Sequence, residues 1–109
     1  MRQCYPACKY SAENEGDILL NIRTALVFAT TLLDKGWWPV VPVVSMSHET
    51  DWPTAMLKDK LLLRELNVRR DAIIMRPGWE TSKGANLEKQ WAEEMGLPVL
   101  LYEEALHVE

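Results

Sequence analysis

The sequence has few cysteines, few histidines and no long apolar run, and each shortage argues against a class of protein. Cys4 and Cys8 are its only cysteines, and both histidines lie too far from them for a recognised zinc spacing. The longest apolar runs, ALVFATTLL and WWPVVPVV, are too short to span a bilayer, and the first residues lack the apolar segment of a signal peptide. We therefore expect no membrane contact, a cytoplasmic location and two reduced thiols, with a redox role as the alternative for the thiols.

Basic residues are also not in excess. The chain has 12 Lys and Arg against 16 Asp and Glu, which gives a formal charge of −4. A surface that binds nucleic acid needs clustered Lys and Arg, so we expect no nucleic-acid polymer as a partner. With 109 residues, 48 % of them hydrophobic and 26 % charged, residues 1–109 are expected to form one ordinary globular domain.

Hydrophobic periodicity predicts strands that alternate with helices. Helices are expected over about 17–35, 53–66 and 84–95, with one further helical turn in the tail EEALHVE. The predicted strands are RQCYPAC, which breaks at Pro6, then WWPVVPVV, DAIIM and PVLLY. Pro39 and Pro42 place the second strand at a sheet edge, because proline cannot donate to a strand ladder.

This alternation predicts an α/β protein with a three-layer flavodoxin-like fold and a small parallel sheet of order 2-1-3-4. Ligands of such sheets bind beyond the carboxyl ends of the strands, near the switch point between strands one and three. Tyr5 at the end of strand one and Ser11 in the following loop are therefore candidate ligand-binding residues.

Two carboxylates interrupt the apolar faces of predicted helices. Glu88 shares a helix face with Trp91, Ala92 and Met95, and Asp59 lies among similarly spaced apolar residues of the second helix. Burying an unpaired charge is costly, so such an acid usually meets hydrogen-bond donors or lines a polar cleft. Glu88 and Asp59 are the predicted catalytic residues. The alternative for either acid is helix capping or a salt bridge, and the basic residues near Asp59 are Lys58, Lys60 and Arg64.

The loop RPGWETSK, which precedes the third helix, suits an anionic or polyhydroxylated ligand. Gly78 and Gly84 permit close approach of the backbone, Ser82 offers a hydroxyl, and the first helical amides add donors. The alternative is an ordinary turn with a capping serine. Trp79 could stack on a base or a sugar, or it could close the end of the core.

Together, the first strand with YPACKYS, an Asp in the second helix and the segment DAIIMRPGWETSKGANLEKQWAEEMGLPV carry a resemblance. They resemble the nucleoside 2-deoxyribosyltransferase-like superfamily, above all its small uncharacterised members from bacteria and phages. Those members often carry PGW-x-x-S-x-GA-x-x-E-x-x-x-A-x-x-x-G-x-PV, and the segment from Asp71 to Val99 matches that pattern closely.

The resemblance implies site roles that spacing alone does not give. Glu88 would be the nucleophile at the anomeric carbon, and Asp59 would bind the sugar or protonate the base. Tyr5 would lie near the sugar, and Ser82 would lie where related N-hydrolases hold a 5′-phosphate. We expect the helix N-terminus to help keep Glu88 ionised. No metal or other cofactor is implied, and a homo-oligomer, as a dimer or a larger assembly, is expected.

These features lead to three hypotheses of function. The first is a nucleoside or nucleotide N-glycosidase, or a deoxyribosyltransferase-like protein, that acts on a small molecule through Glu88. The second is a non-catalytic nucleotide-binding or regulatory module that uses the same cleft. The third is a structural domain whose exposed tryptophans mediate self-association.

Overall fold

A four-stranded parallel sheet forms the centre of the protein. The computed structural model describes residues 2–8, 15–40 and 52–107. The strands are β1 (Arg2–Ala7), β2 (Trp37–Pro39), β3 (Ala72–Met75) and β4 (Val99–Leu101). All neighbours are parallel and their order is β2-β1-β3-β4, which confirms the predicted α/β fold, the 2-1-3-4 order and the edge position of β2.

The helices begin and end within a few residues of the predicted limits. They are α1 (Glu15–Asp34), α2 (Trp52–Arg64), α3 (Lys83–Met95) and the short α4 (Tyr102–Ala105). Gly96 stops α3 in a left-handed conformation, with φ of 79°, and its amide bonds back to the last turn. In the ranges that the structure describes, no helix is both long and apolar enough to cross a membrane.

Alternating residues of the sheet face two separate core clusters. Cys4, Ala72 and Ile74 face the side of α1 and α4, whereas Tyr5, Ile73 and Met75 face the side of α2 and α3. Successive strand residues point to opposite faces of the sheet. In β1 and β3, even-numbered side chains therefore enter one layer and odd-numbered side chains enter the other. Tyr5 therefore points to the layer that carries both predicted acids.

Pro6 does not end the first strand, contrary to the predicted break. β1 continues to Ala7 at the centre of the sheet, and Pro6 is paired in register with Ile74. The backbone of Cys4 faces β2, since its carbonyl accepts the amide of Val40. Pro6 is two residues after Cys4, so its backbone faces the same neighbour, β2. The last β1–β2 register pair is at Cys4, so the N–H that Pro6 lacks would lie beyond the paired part of β2. The proline therefore costs no hydrogen bond of the β1–β3 ladder.

A third buried acid, which sequence reasoning did not single out, joins the segments at the amino ends of β1 and β3. Asp71 Oδ1 accepts the amide of Gln3 at 2.9 Å and Arg70 Nε at 3.0 Å, and Oδ2 accepts the amide of Asn67 at 2.7 Å. Burial alone would raise the pKa of Asp71, but these hydrogen bonds and the charge of Arg70 outweigh it and lower the pKa.

Both cysteines are buried in the core and neither is part of a disulfide; Cys4 lies in β1 and Cys8 directly after it. Burial, reinforced by the charge of Asp71, raises the pKa of Cys4 to about 12. Because the thiolate is the reactive form of cysteine, Cys4 is a structural rather than a reactive thiol.

Candidate functional site

Tyr5, Asp59 and Glu88 form one buried cluster between the sheet and its α2/α3 layer. Tyr5 lies in β1, Asp59 in the middle of α2, and Glu88 is the sixth residue of α3. The Tyr5 hydroxyl donates to Glu88 Oε2, and both side chains also hydrogen-bond with Asp59. Tyr5 is fully buried, and each acid is only 1 % exposed. The two predicted catalytic residues and Tyr5 therefore meet in the folded protein.

The close packing of α2 on α3 brings the acids together. Each acid lies on the inner face of its helix, next to apolar neighbours such as Leu63 and Ala92 that pack on the sheet. Gly84 lies in the first turn of α3, where an added Cβ would come within 3.4 Å of Met56 Sδ. That distance is an ordinary van der Waals contact, so Gly84 lies where α2 meets α3 near the acid pair, and the packing does not require a glycine there.

The pKa shift of Glu88 runs against the expectation that this acid is ionised. Burial raises the pKa of Glu88 well above its ordinary value, and the negative charge of Asp59 adds to this shift, against the hydrogen bond from Tyr5. Glu88 lies beyond the first turn of α3, where the helix dipole no longer supports a negative charge. The raised pKa therefore opposes the expected ionised form of Glu88 and favours the protonated form, which can donate a hydrogen bond to Asp59.

Asp59 is the more acidic member of the pair. Burial raises its pKa from 3.8 to about 6, while its hydrogen-bond contacts with Glu88 and Tyr5 limit the rise. Its Oδ1 is buried and has no hydrogen-bond partner in the described part of the chain. A buried acceptor of this kind is destabilising unless it is satisfied, so the atom suits a hydroxyl or N–H donor from a ligand.

Basic side chains do not neutralise the pair. Among the described residues, neither Asp59 nor Glu88 takes part in an ion pair, whereas Arg70 pairs with Asp71 and Lys89 with Glu93. Lys60, next to Asp59 in sequence, lies instead over the ring of Trp91, at 5.2 Å from its centroid. The salt-bridge alternative for Asp59 is therefore wrong within these residues.

The raised pKa of Asp59 predicts that the pair destabilises the protein as the pH rises. An acid with a higher pKa in the folded state binds more protons there than in the unfolded state, so stability falls with pH between the two values. For Asp59, this window runs from 3.8 to about 6. We expect a loss on the order of 2 kcal/mol across it.

Chemical denaturation of the wild type and an Asp59→Asn/Glu88→Gln variant at pH 4, 5, 6 and 7 tests this prediction. The difference between the two proteins isolates the pair from the other acids. The stability of the variant relative to the wild type should increase as the pH rises. Two parallel profiles of stability against pH would contradict the raised pKa of Asp59.

The loop before α3 has the features of a structural turn. Gly78 adopts φ of 94° and leads into a short 3₁₀ turn over Trp79–Thr81. Ser82 is the N-cap of α3, and its Oγ accepts the amide of Ala85 at 3.2 Å. The capping alternative for Ser82 is therefore confirmed, and Trp79 packs partly buried against the core, as its core-closing alternative predicted.

Gly78 and Trp79 also line a surface cavity of about 360 Å³ at the carboxyl ends of β3 and β4. Its other lining residues include Tyr102, Glu103 and Glu104, and none of Tyr5, Asp59 and Glu88 lines it. The structure therefore separates this loop cavity from the acid pair. Ser11, the remaining candidate, lies outside the described residues.

Comparison with known proteins identifies a family whose description states no function. A family model described as a domain of unknown function (DUF4406) matches residues 20–101. The match covers well over half of the chain and includes Asp59 and Glu88 but not Tyr5. No curated protein matches the chain.

Proposed function

We propose, for a chain that belongs to the family described as a domain of unknown function (DUF4406), that the buried acids cleave an N-glycosidic bond of a nucleoside or nucleotide. The observation that carries the proposal is a pair of carboxyl groups in mutual hydrogen-bond contact, with Tyr5 donating to Glu88. Two carboxyl groups with different proton affinities supply the acid and the nucleophile that cleavage of a glycosidic bond requires.

The proton of the pair has a defined course in this proposal. Ligand binding transfers it from Glu88 to Asp59, so that Glu88 becomes a carboxylate. The carboxylate forms a bond to the anomeric carbon as the bond from that carbon to the base nitrogen breaks, and Asp59 protonates the departing base. Water then attacks the anomeric carbon, releases the sugar and returns a proton to the pair. A second base in place of water would make the reaction a transfer.

Three features support a more specific proposal, that the chain belongs to the nucleoside 2-deoxyribosyltransferase-like superfamily. The sheet order is β2-β1-β3-β4, the motif of residues 77–99 is present, and Tyr5 meets both acids. The resemblance further suggests a cytoplasmic protein that acts on a small molecule and assembles with copies of itself. We also propose that Ser82 binds a phosphate group of the ligand, in addition to its capping bond.

A non-catalytic nucleotide-binding module is the second candidate. The raised pKa of Glu88 favours it, because a protonated carboxyl group is a hydrogen-bond donor and a poor nucleophile. Asp59 Oδ1 would accept a ligand N–H or hydroxyl in either case.

The deciding experiment incubates the protein with deoxynucleosides, ribonucleosides and their 5′-monophosphates, followed by chromatography for free base. Base release supports the glycosidase, and a new nucleoside formed after addition of a second free base supports the transferase. Thermal stabilisation by a ligand without base release supports the binding module. If no compound is cleaved or stabilises the protein, the proposal is wrong.

A further inference from the structure

The outer face of α1 is apolar, and the rest of the described chain leaves it open. The inner face packs Ala25, Phe28, Ala29 and Leu32 into the core. On the outer face, Leu19, Leu20, Leu26, Val27 and Leu33 are each between 43 % and 62 % exposed. Together they present roughly 400 Å² of apolar surface, which is as much as the largest patch on many monomers and is often functional.

These residues form two rows along the helix with a pair of charges between them. Leu19, Leu26 and Leu33 follow one another at seven-residue spacing, and Leu20 and Val27 form a second row. At 100° per residue, Arg23 and Asp34 fall between the two rows. The outer face is thus an apolar strip with one cation and one anion on its midline.

The hydroxyl groups on this face are already satisfied. Thr24 donates to the carbonyl of Leu20 at 2.9 Å, Thr30 to that of Leu26 at 2.9 Å, and Thr31 to that of Val27 at 3.0 Å. A partner that covers the face therefore leaves no threonine hydroxyl without a hydrogen-bond acceptor.

Charge placement identifies the partner as a second copy of the chain. Arg23 and Asp34 are about 16 Å apart along the helix, and neither forms an ion pair with any residue that the structure describes. In an antiparallel pair of α1 helices, with a two-fold axis near residues 28 and 29, Arg23 of each copy lies beside Asp34 of the other. An anionic membrane surface would instead favour a polar face rich in Lys and Arg, which α1 lacks.

We propose that the outer face of α1 is a homodimer interface, with the two helices antiparallel and joined by two reciprocal Arg23–Asp34 pairs. The self-complementary arrangement is that of an isologous two-fold contact. The apolar rows supply about half of the roughly 800 Å² that each partner buries in a standard interface, and the threonines and charges add to it.

Sedimentation velocity over a range of protein concentrations tests the surface. The wild type should dimerise, and Leu26→Glu/Val27→Glu should raise the dissociation constant at least about 30-fold. The matched control is Leu57→Glu/Leu61→Glu, which places the same charges at two exposed leucines of α2 and should leave the dissociation constant unchanged. A wild type that stays monomeric at about 100 µM, or a dimer that the α1 variant does not weaken, overturns the proposal.

A charge exchange tests the register without altering the apolar rows. Arg23→Glu and Asp34→Arg should each weaken the dimer, because each alone sets like charges against one another. Mixing the two variants should restore association. In the heterodimer, the introduced glutamate of one copy faces the introduced arginine of the other, and the second contact is an unchanged Arg23–Asp34 pair. If the mixture of the two variants associates no more strongly than either variant alone, the antiparallel register is wrong.

Discussion

Replacement of Glu88 by glutamine is expected to lower the rate of base release by at least about 1,000-fold. Glutamine has nearly the same shape and can still accept the hydroxyl of Tyr5, so the buried cluster keeps its packing. It cannot become a carboxylate, and therefore it can neither attack the anomeric carbon nor stabilise positive charge on the sugar. The measurement is the initial rate of base release with the best substrate from the panel.

Glu93→Gln is the matched control, because Glu93 is an exposed acid of the same helix that pairs with Lys89. It should retain wild-type activity. Thermal melting separates a loss of chemistry from a loss of folding, since Glu88→Gln should melt at or above the wild-type temperature at neutral pH. An unchanged rate in Glu88→Gln would remove this residue as the nucleophile, even if the protein does release base.

The largest expected loss of stability follows from Asp71→Ala. This change removes the acceptor of the Gln3 and Asn67 amides and of Arg70 Nε, and it leaves two backbone donors without their partner. At about 1–3 kcal/mol for each unsatisfied group, we expect a loss of about 3 kcal/mol in the free energy of unfolding. The melting temperature should fall by roughly 10–20 °C.

Chemical denaturation of Asp71→Ala, Asp71→Asn and the exposed control Glu103→Ala measures this effect. Asp71→Asn keeps one acceptor oxygen and should lose less stability than Asp71→Ala, and the control should lie within about 0.5 kcal/mol of the wild type. Because the pKa of Asp71 is lowered, its contribution is present above pH 3.8 and is lost as the pH falls below that value. Equal stability of Asp71→Ala and wild type would contradict the anchoring role.

The fold was predictable because local signals and the expected topology agree. The apolar spacing of α1, the glycine after α3 and the two prolines near β2 each predicted an element or its place, and the sheet order followed from them. Pro6 was misjudged because sequence alone does not show which neighbour a backbone N–H faces. That depends on the register of β1 against β2 and β3.

The acid cluster was only partly predictable. Helical spacing placed Asp59 and Glu88 on buried faces, and the topology placed Tyr5 near them. The raised pKa of Glu88 was not predicted, because it depends on the contact between the two acids and on complete burial. Asp71 was missed, although an acid directly before a buried strand and next to an arginine was a usable signal.

Cys4 and Tyr5 of β1 face opposite layers of the protein, and so do the proposed dimer interface and the acid pair. α1 packs on one side of the sheet, and the acid pair lies on the other. If two copies join through α1, each acid pair remains on the distal side of its own sheet, away from the junction. The two centres would then titrate and turn over independently, so dilution would dissociate the assembly without changing the turnover of each chain.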